Sequence, residues 1–218
     1  MSEPRDVRAV QTRADRWVEV VSTVLLALAT VATAWASYQA SRWHGEQAKS
    51  YGRATAARVD STRASGVANR QLEIDVATFI QWVDAHAAGN LELAAFYRRR
   101  FRPEFKPAAD AWLATKPLQN LRAPLTPFAM PQYRLSAQAR ADRLEARASA
   151  AAADAKADVD RANKYVLCVV LFAMSLFFAG VSTRLRTERA EAAVLLIGCV
   201  VFVATLVWVA TFPVSVQL

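Results

Sequence analysis

Small and polar side chains form a row along the first strongly apolar segment of the chain. Its members recur at intervals of three or four residues, which places them on one side of a helix. They are Glu19, Thr23, Ala27, Thr30, Ala34 and Ser37. Small and hydroxyl-bearing residues let helices pack closely in a bilayer and hydrogen-bond to each other. In an oligomer, the same row could line a polar pore. The row therefore predicts either a helix-packing surface or the wall of a pore.

A second candidate is a cationic cluster in the sequence YRRRFR. Its basic members are Arg98, Arg99, Arg100 and Arg102. Cationic side chains interleaved with aromatic ones can bind nucleic acid. The topology argued below places this cluster outside the cytoplasm, where nucleic acid is not an expected partner. We therefore interpret it as a solvated helix face that forms an electrostatic contact patch for acidic groups of a neighbouring protein.

The sequence offers little for metal binding or catalysis. His44 and His86 lie at opposite ends of one predicted helix, so they cannot share a metal within one chain. Cys168 and Cys199 lie inside apolar segments and have no metal-binding spacing. The chain contains no GxGxxG, P-loop, HExxH or GxSxG motif. These observations predict a protein that is not an enzyme and that binds no cofactor or metal.

The elements that carry these residues include three segments able to cross a bilayer. The chain is 54% hydrophobic yet carries 27 Lys and Arg against 19 Asp and Glu, which indicates very apolar segments joined to very charged ones. A crossing helix needs about 20 apolar residues. The predicted spans are residues 17–39, 165–183 and 192–213.

Basic residues predict the orientation of these spans. The N-terminal tail, residues 1–16, is rich in arginine, and the turn at 184–191 carries Arg184, Arg186 and Arg189. Short basic loops stay on the cytoplasmic side. Two spans separate the tail from the turn, so the two share a side. Residues 40–164 and the tail at 214–218 are therefore predicted to be extracytoplasmic, on a multi-pass protein of the cell (inner or plasma) membrane.

The section between the first two spans shows almost no strand signal and is predicted to be mainly helical, with an irregular loop in its proline-rich part. Residues 47–88 fit one helix, and its expected apolar face consists of Leu72, Val76, Phe79, Ile80 and Val83. The sequence AAGN at residues 87–90 predicts the end of this helix followed by a cap. A proline-rich stretch at 116–134 is too apolar for a disordered linker and predicts an ordered cap.

A second long helix is predicted to start near Leu135 and to continue into the second span as far as Val181. It carries a seam of mostly small residues: Ala137, Ala141, Leu144, Ala148, Ala151, Ala155 and Ala162. Such a seam allows close helix approach but buries little area. The sequence thus predicts an all-α integral membrane protein with three transmembrane helices. Between spans one and two we expect a long antiparallel helical hairpin of coiled-coil type.

The first span and the segment that follows it resemble the corresponding part of a known group of proteins. The stretch WVEVVSTVLLALATVATAWASYQASRWHGEQAKSY has a Trp-led, Ala-rich span and a YQA…EQAK exit into a long helix. With the closing pair of spans joined by a short basic turn, it resembles the uncharacterised bacterial three-span proteins of domain-of-unknown-function families. The resemblance covers the whole architecture and implies neither an activity nor functional residues.

These features predict a non-enzymatic, oligomeric membrane scaffold or accessory protein that uses its hairpin as a docking surface. The expected partners are membrane lipid, further copies of the chain and a protein at the hairpin. The first alternative is an oligomeric pore or ion channel lined by transmembrane helix 1. The second is an extracytoplasmic helical sensor, because two long helices enter two spans.

Overall fold

The structure, a computed structural model, describes residues 5–185 and 187–215, with side chains from residue 17 onward. Arg186 and the side chains of the predicted tail at 1–16 therefore lie outside the described residues. The helices are α1 (Arg5–Ala87), α2 (Leu91–Arg99), α3 (Lys106–Ala114), α4 (Ser136–Ser182) and α5 (Glu188–Val209), with a 3-10 turn at Pro127–Ala129. No strand occurs in the described ranges, and the predicted all-α class is confirmed.

Three of these helices, α1, α4 and α5, are long and apolar enough to cross a membrane. Helix α4 has no break between Ser136 and Ser182, which confirms the prediction of one continuous helix into the second span. The reason lies in the sequence, because residues 135–179 contain neither proline nor glycine and are rich in alanine. Helix α1 likewise continues without interruption from the first span into the hairpin.

The chain forms two compact units. The membrane unit comprises Met1–Tyr51 and Ala153–Leu218, and the hairpin unit comprises Gly52–Ala152. The membrane unit thus extends beyond the predicted span boundaries at residues 39 and 165. Contacts such as that of the Arg161 guanidinium with the Trp43 ring, at 4.8 Å, belong to this extension.

Helices α1 and α4 run antiparallel in the hairpin unit. Ser61 donates its hydroxyl to the Ala141 carbonyl oxygen at 3.0 Å, and Arg58 pairs with Glu145 at 3.5 Å. Buried positions recur every seven residues along both helices. On α1 they are Ala54, Ser61, Ala68, Asp75 and Trp82, and on α4 they are Ala141, Ala148, Ala155 and Ala162. The α4 positions belong to the predicted seam, and a seven-residue period keeps one line of side chains facing a partner helix.

The predicted apolar face of α1 is divided: Val76 and Phe79 are partly buried, and Phe79 packs against the aromatic core, but the other three members face outward. Leu72, Ile80 and Val83 are 37%, 50% and 38% exposed, whereas Ala68 and Asp75 are buried. The physical reason is the partner helix. Alanines on α4 permit a close approach only where α1 also presents small side chains, so the bulky aliphatic residues turn outward.

The end of α1 follows the predicted signal. Gly89 adopts a positive φ of 73°, a left-handed conformation that glycine reaches without a steric penalty. Asn90 then caps α2, and its side-chain oxygen accepts the Leu93 backbone N–H at 3.0 Å. The short helix α3 follows at Lys106–Ala114.

Candidate functional site

The small and polar row of the first span is not used inside the chain. All six members, from Glu19 to Ser37, are exposed on the surface of the chain. Two of the hydroxyls bond to their own helix, because Thr23 donates to the Glu19 carbonyl at 2.8 Å and Thr30 to the Leu26 carbonyl at 2.7 Å. In a bilayer this row therefore faces either lipid or another molecule.

A different face of α1 packs within the membrane unit. It is formed by Ser22, Leu25, Ala29, Ala36, Gln39 and Ala40. Helix α5 lies close to α4 at Gly198, where an added Cβ would be 3.1 Å from the Phe178 Cβ and 3.5 Å from a Leu25 methyl carbon of this α1 face. Ser175 donates its hydroxyl to the Gly198 carbonyl at 2.7 Å. The sequence analysis did not single out this contact, although small residues inside apolar spans are the signal for it.

The four arginines of the cationic cluster do not form one solvated patch. Arg98 pairs with Asp110 at 2.8 Å, and the Arg100 guanidinium lies over the Phe96 ring at 4.3 Å. Arg102 is half-buried and reaches Asp75, with an N–O distance of 2.8 Å. Arg99 is exposed. The four arginines thus have four different environments: Arg98, Arg99 and Arg100 are exposed, whereas Arg102 belongs to the interior of the hairpin unit.

Asp75 is the centre of a polar network that the sequence analysis missed. Its carboxylate is fully buried and accepts bonds from Arg102 and, at 3.0 Å, from the Tyr133 hydroxyl. Glu104 accepts from Arg102 at 2.5 Å and from the Ser136 backbone N–H at 3.0 Å. The network connects α1 to the start of α4 and to the segment between these two helices. The sequence signal that could have revealed this network is a carboxylate at a position of the seven-residue seam.

The environment of these groups changes their proton affinity. Burial raises the pKa of Asp75 above its usual range, and this effect outweighs the hydrogen bond from Tyr133 and the charge of Arg102. The pKa of Glu104 is lowered, chiefly by its hydrogen bonds with Ser136. Burial, followed by the nearby Asp75 charge, raises the pKa of the Tyr133 hydroxyl. The network thus joins the close contact of Arg102 with Asp75 to a tyrosine whose hydroxyl donates to the same carboxyl group.

Aromatic side chains form the core of the hairpin unit beside this network. The Phe79 ring contacts the rings of Trp82, Phe105, Trp112 and Phe128 at centroid distances between 5.5 and 6.1 Å. A half-open pocket of about 470 Å³ adjoins this core. The ends of α1 and α3 and the turn after α3 line it, including Trp82, His86, Trp112, Lys116 and Leu118. Its volume is in the range of small-ligand pockets.

The proline-rich cap presents three leucines to the surface. Leu118, Leu121 and Leu125 are 92%, 105% and 94% exposed. Several bonds hold the loop that carries them. Trp112 donates its indole N–H to the Pro124 carbonyl at 2.7 Å, and Asn120 accepts the Arg122 backbone N–H at 3.0 Å. An anchored loop with three exposed leucines is an apolar surface of the kind that marks interaction sites.

The histidines and cysteines have structural environments. His44 is within hydrogen-bonding distance of the Gln47 side-chain oxygen, at 3.1 Å, and His86 stacks on Trp82 at 5.2 Å. Cys168 is buried, Cys199 is partly buried, and both are free thiols. Among the residues that the structure describes, no three His, Cys, Asp or Glu side chains are grouped so that they could hold a metal ion.

Comparison with protein-family models, with curated proteins and with solved structures gives no match for this chain. The resemblance to three-span proteins of domain-of-unknown-function families therefore stays a prediction. Function has to be argued from the surfaces described above.

Proposed function

We propose that this chain is a non-enzymatic membrane scaffold that assembles with copies of itself and docks a partner protein through its hairpin unit. The observation that carries the proposal is the outward-facing apolar row of α1 formed by Leu72, Ile80 and Val83. These residues have the spacing of a core-facing helix stripe. Fully burying such a side chain is favourable by roughly 1.5–3 kcal/mol. The described chain leaves these three side chains between 37% and 50% exposed, so part of this gain is unused.

A second copy of the chain is the occupant that fits this row. The same helix also carries the exposed small-residue row of the first span, from Glu19 to Ser37. Small residues supply attraction between helices in lipid, where apolar burial supplies little. Helix α1 thus offers one unused packing surface in each unit, and a homo-oligomer would use both. The hydroxyls of Thr23 and Thr30 bond to their own helix, which supports packing over the alternative of a pore lining.

The proline-rich loop that exposes Leu118, Leu121 and Leu125 fits a different occupant. Residues 111–141 contain Lys116, Arg122, Arg134 and Arg140 but no Asp or Glu. A protein surface with an apolar centre and an acidic rim would complement both the exposed leucines and this charge. The predicted extracytoplasmic location of residues 40–164 would place such a partner outside the cytoplasm.

The experiment places a photo-crosslinking amino acid at Ile80 and, in a second variant, at Leu121, in membranes of a cell that produces the protein. A matched control carries it at Arg63, an exposed α1 position outside the apolar row. We expect covalent dimers from position 80 and a heterologous protein adduct from position 121. The adduct should disappear when Leu118 and Leu125 are both changed to serine.

The outcomes separate the two parts of the proposal. Dimers that form equally from positions 63 and 80 would show that self-contact is not specific to the apolar row. A position-121 variant that yields only lipid adducts or none would contradict protein docking at the loop. Ion flux through liposomes containing the purified protein would instead support the pore.

A further inference from the structure

Four buried nitrogen atoms on a short run of α1 have no hydrogen-bond partner among the described residues. They are Nε2 of Gln39, Nε and Nη2 of Arg42, and Nε1 of Trp43. All four are donors. Buried polar groups have a partner in the great majority of cases, and each exception calls for an explanation. A run of unpaired donors with no unpaired acceptor beside it therefore points to an acceptor-rich binding partner.

Contacts inside the membrane unit bring the ends of the three spans to this run. Gln39 uses its other side-chain atom, Oε1, to accept the Ser215 backbone N–H at 3.1 Å. Tyr165 donates its hydroxyl to the Pro213 carbonyl at 3.1 Å. The first predicted span ends at residue 39, the second begins at 165 and the third ends at 213. This edge therefore lies at the level of the lipid headgroups, where aromatic and cationic side chains are favoured.

The same edge carries an excess of positive charge. A cavity of about 330 Å³ adjoins the donor run through Arg161, whose guanidinium lies over the Trp43 ring; Lys164 and three aromatic residues also line it, among others. Asp158 accepts a bond from Arg161 at 2.8 Å and offsets that charge. Lys164 has no ion pair within the described ranges. Arg42 adds a further cation whose two buried nitrogens are unbonded.

We propose that Gln39, Arg42, Trp43 and Lys164 bind a phosphate group at this edge of the membrane unit. Phosphate supplies several acceptor oxygens and negative charge, and an arginine guanidinium matches its geometry. The group can come from a lipid headgroup or from free phosphate, since the chemistry of recognition is shared. The site lies in the membrane unit and does not depend on the docking role of the hairpin unit.

The test uses the full-length protein in mild detergent and native mass spectrometry. Three probes separate the sources: dioleoyl phosphatidylglycerol, dioleoylglycerol, which has the same acyl chains without phosphate, and inorganic phosphate. We expect the phospholipid or inorganic phosphate to bind at least about tenfold more tightly than dioleoylglycerol, because charged hydrogen bonds are lost without the phosphate. Tight binding of the phospholipid alone identifies lipid as the source, whereas binding of inorganic phosphate identifies the free ion.

Two variants locate the site. Arg42→Met and Lys164→Met should each weaken binding of the phosphate-bearing probe by about tenfold. Lys164 is exposed, so its substitution leaves the fold intact. The matched control is Arg189→Met at the start of α5, which removes one exposed arginine elsewhere and should leave binding unchanged.

Three results would overturn the proposal. The first is equal binding of dioleoylglycerol and phosphatidylglycerol without any binding of inorganic phosphate, which would indicate contact with acyl chains alone. The second is unchanged affinity in both Arg42→Met and Lys164→Met. The third is no binding of either phosphate-bearing probe, which would assign the four donors to ordered water.

Discussion

The two units of this chain use the same pair of helices but fill their interiors differently. In the hairpin unit, the end of α1 packs against a cluster of large aromatic rings around Phe79 and Phe105. The core of the membrane unit also buries three rings, those of Tyr165, Phe172 and Phe202, but here they lie among small side chains such as Ala29, Ala36 and Ala179, and a close contact occurs at Gly198.

The difference follows from the solvent that each unit is expected to meet. In water, removal of apolar area is the main driving force, so large rings contribute most. In lipid, this force is weak between helices, and attraction comes from close approach and hydrogen bonds. One chain thus applies two packing rules, and substitutions that change size should have opposite signatures in the two units.

The largest effect is expected from Phe105→Ala in the hairpin unit. Phe105 is fully buried and contacts the rings of Phe79, Phe101, Phe128 and Tyr133. Its truncation should lower the free energy of opening of α2 and α3 by about 3–5 kcal/mol. Native-state hydrogen exchange measures this quantity.

Phe96→Ala is the matched control for that experiment, because Phe96 is 40% exposed in the same unit. It should lower the free energy of opening by clearly less than Phe105→Ala does. Equal costs for the two substitutions would contradict the view that the aromatic core stabilises the hairpin unit.

In the membrane unit, the sensitive change is an increase in size. Gly198→Ala would bring a Cβ to 3.1 Å from the Phe178 Cβ, so this neighbour would have to give by a few tenths of an ångström. We expect a loss of roughly 1–3 kcal/mol in stability, the usual cost of overpacking. Gly180→Ala in α4 is the control, since its added Cβ would meet nothing within 4 Å. It should be neutral or slightly stabilising. The measurement is unfolding in mixed micelles, and a Gly180→Ala variant that is the less stable of the two would refute the packing argument.

The sequence predicted the α4 side of this architecture better than the α1 side. The seam through Ala141 and Ala148 could be predicted because alanines recur there and no bulky residue competes for the same face. On α1, the aliphatic row with Leu72 and Ile80 matched a helical period better than the true seam. That seam contains Asp75, which apolar periodicity does not detect.

The candidate site was predictable in part. Residue type and spacing identified the row at Thr23 and Thr30, and the sequence alone could not decide whether the chain itself covers it. The donor run at Gln39 and Arg42 was not predictable, because it depends on which acceptors the fold brings near. Partner-dependent burial is a tertiary property that local patterns do not contain.

A smaller effect is expected from pH, and it is specific to the hairpin unit. The folded pKa of Glu104 is lowered, so its contribution to stability is present above the unfolded value near 4.5 and is lost as pH falls through the folded value. The folded pKa of Asp75 is raised, so uptake of its proton on acidification has the opposite sign. The two groups therefore oppose each other between neutral and acidic pH.

Glu104→Gln tests this opposition. At pH 7 it should cost about 1 kcal/mol, because the charged hydrogen bonds to Ser136 and Arg102 weaken at a partly exposed position. On going from pH 7 to pH 4, however, the variant should lose less stability than the original protein or should gain some. Hydrogen exchange of α3 and of the start of α4 at both pH values provides the comparison. Identical pH dependence in both proteins would exclude Glu104 as the source.

The smallest effect on folding, and a specific effect on assembly, is expected from Ala34→Leu. Ala34 lies in the exposed row of the first span and contacts no core residue that a leucine would displace. Leucine suits lipid as well as alanine does, so insertion and unfolding should be unchanged. A larger side chain would nevertheless hold neighbouring helices apart, and the proposed homo-oligomer should dissociate at a concentration roughly tenfold higher. Dilution in lipid vesicles, followed by energy transfer between labelled copies, measures that concentration.

Val24→Leu is the control, because Val24 is 50% exposed on the same span but lies outside the row. If both substitutions shift dissociation equally, or if the original protein is monomeric at every concentration, the row is a lipid-facing surface. The contrast between the two units then concerns packing within one chain and not assembly.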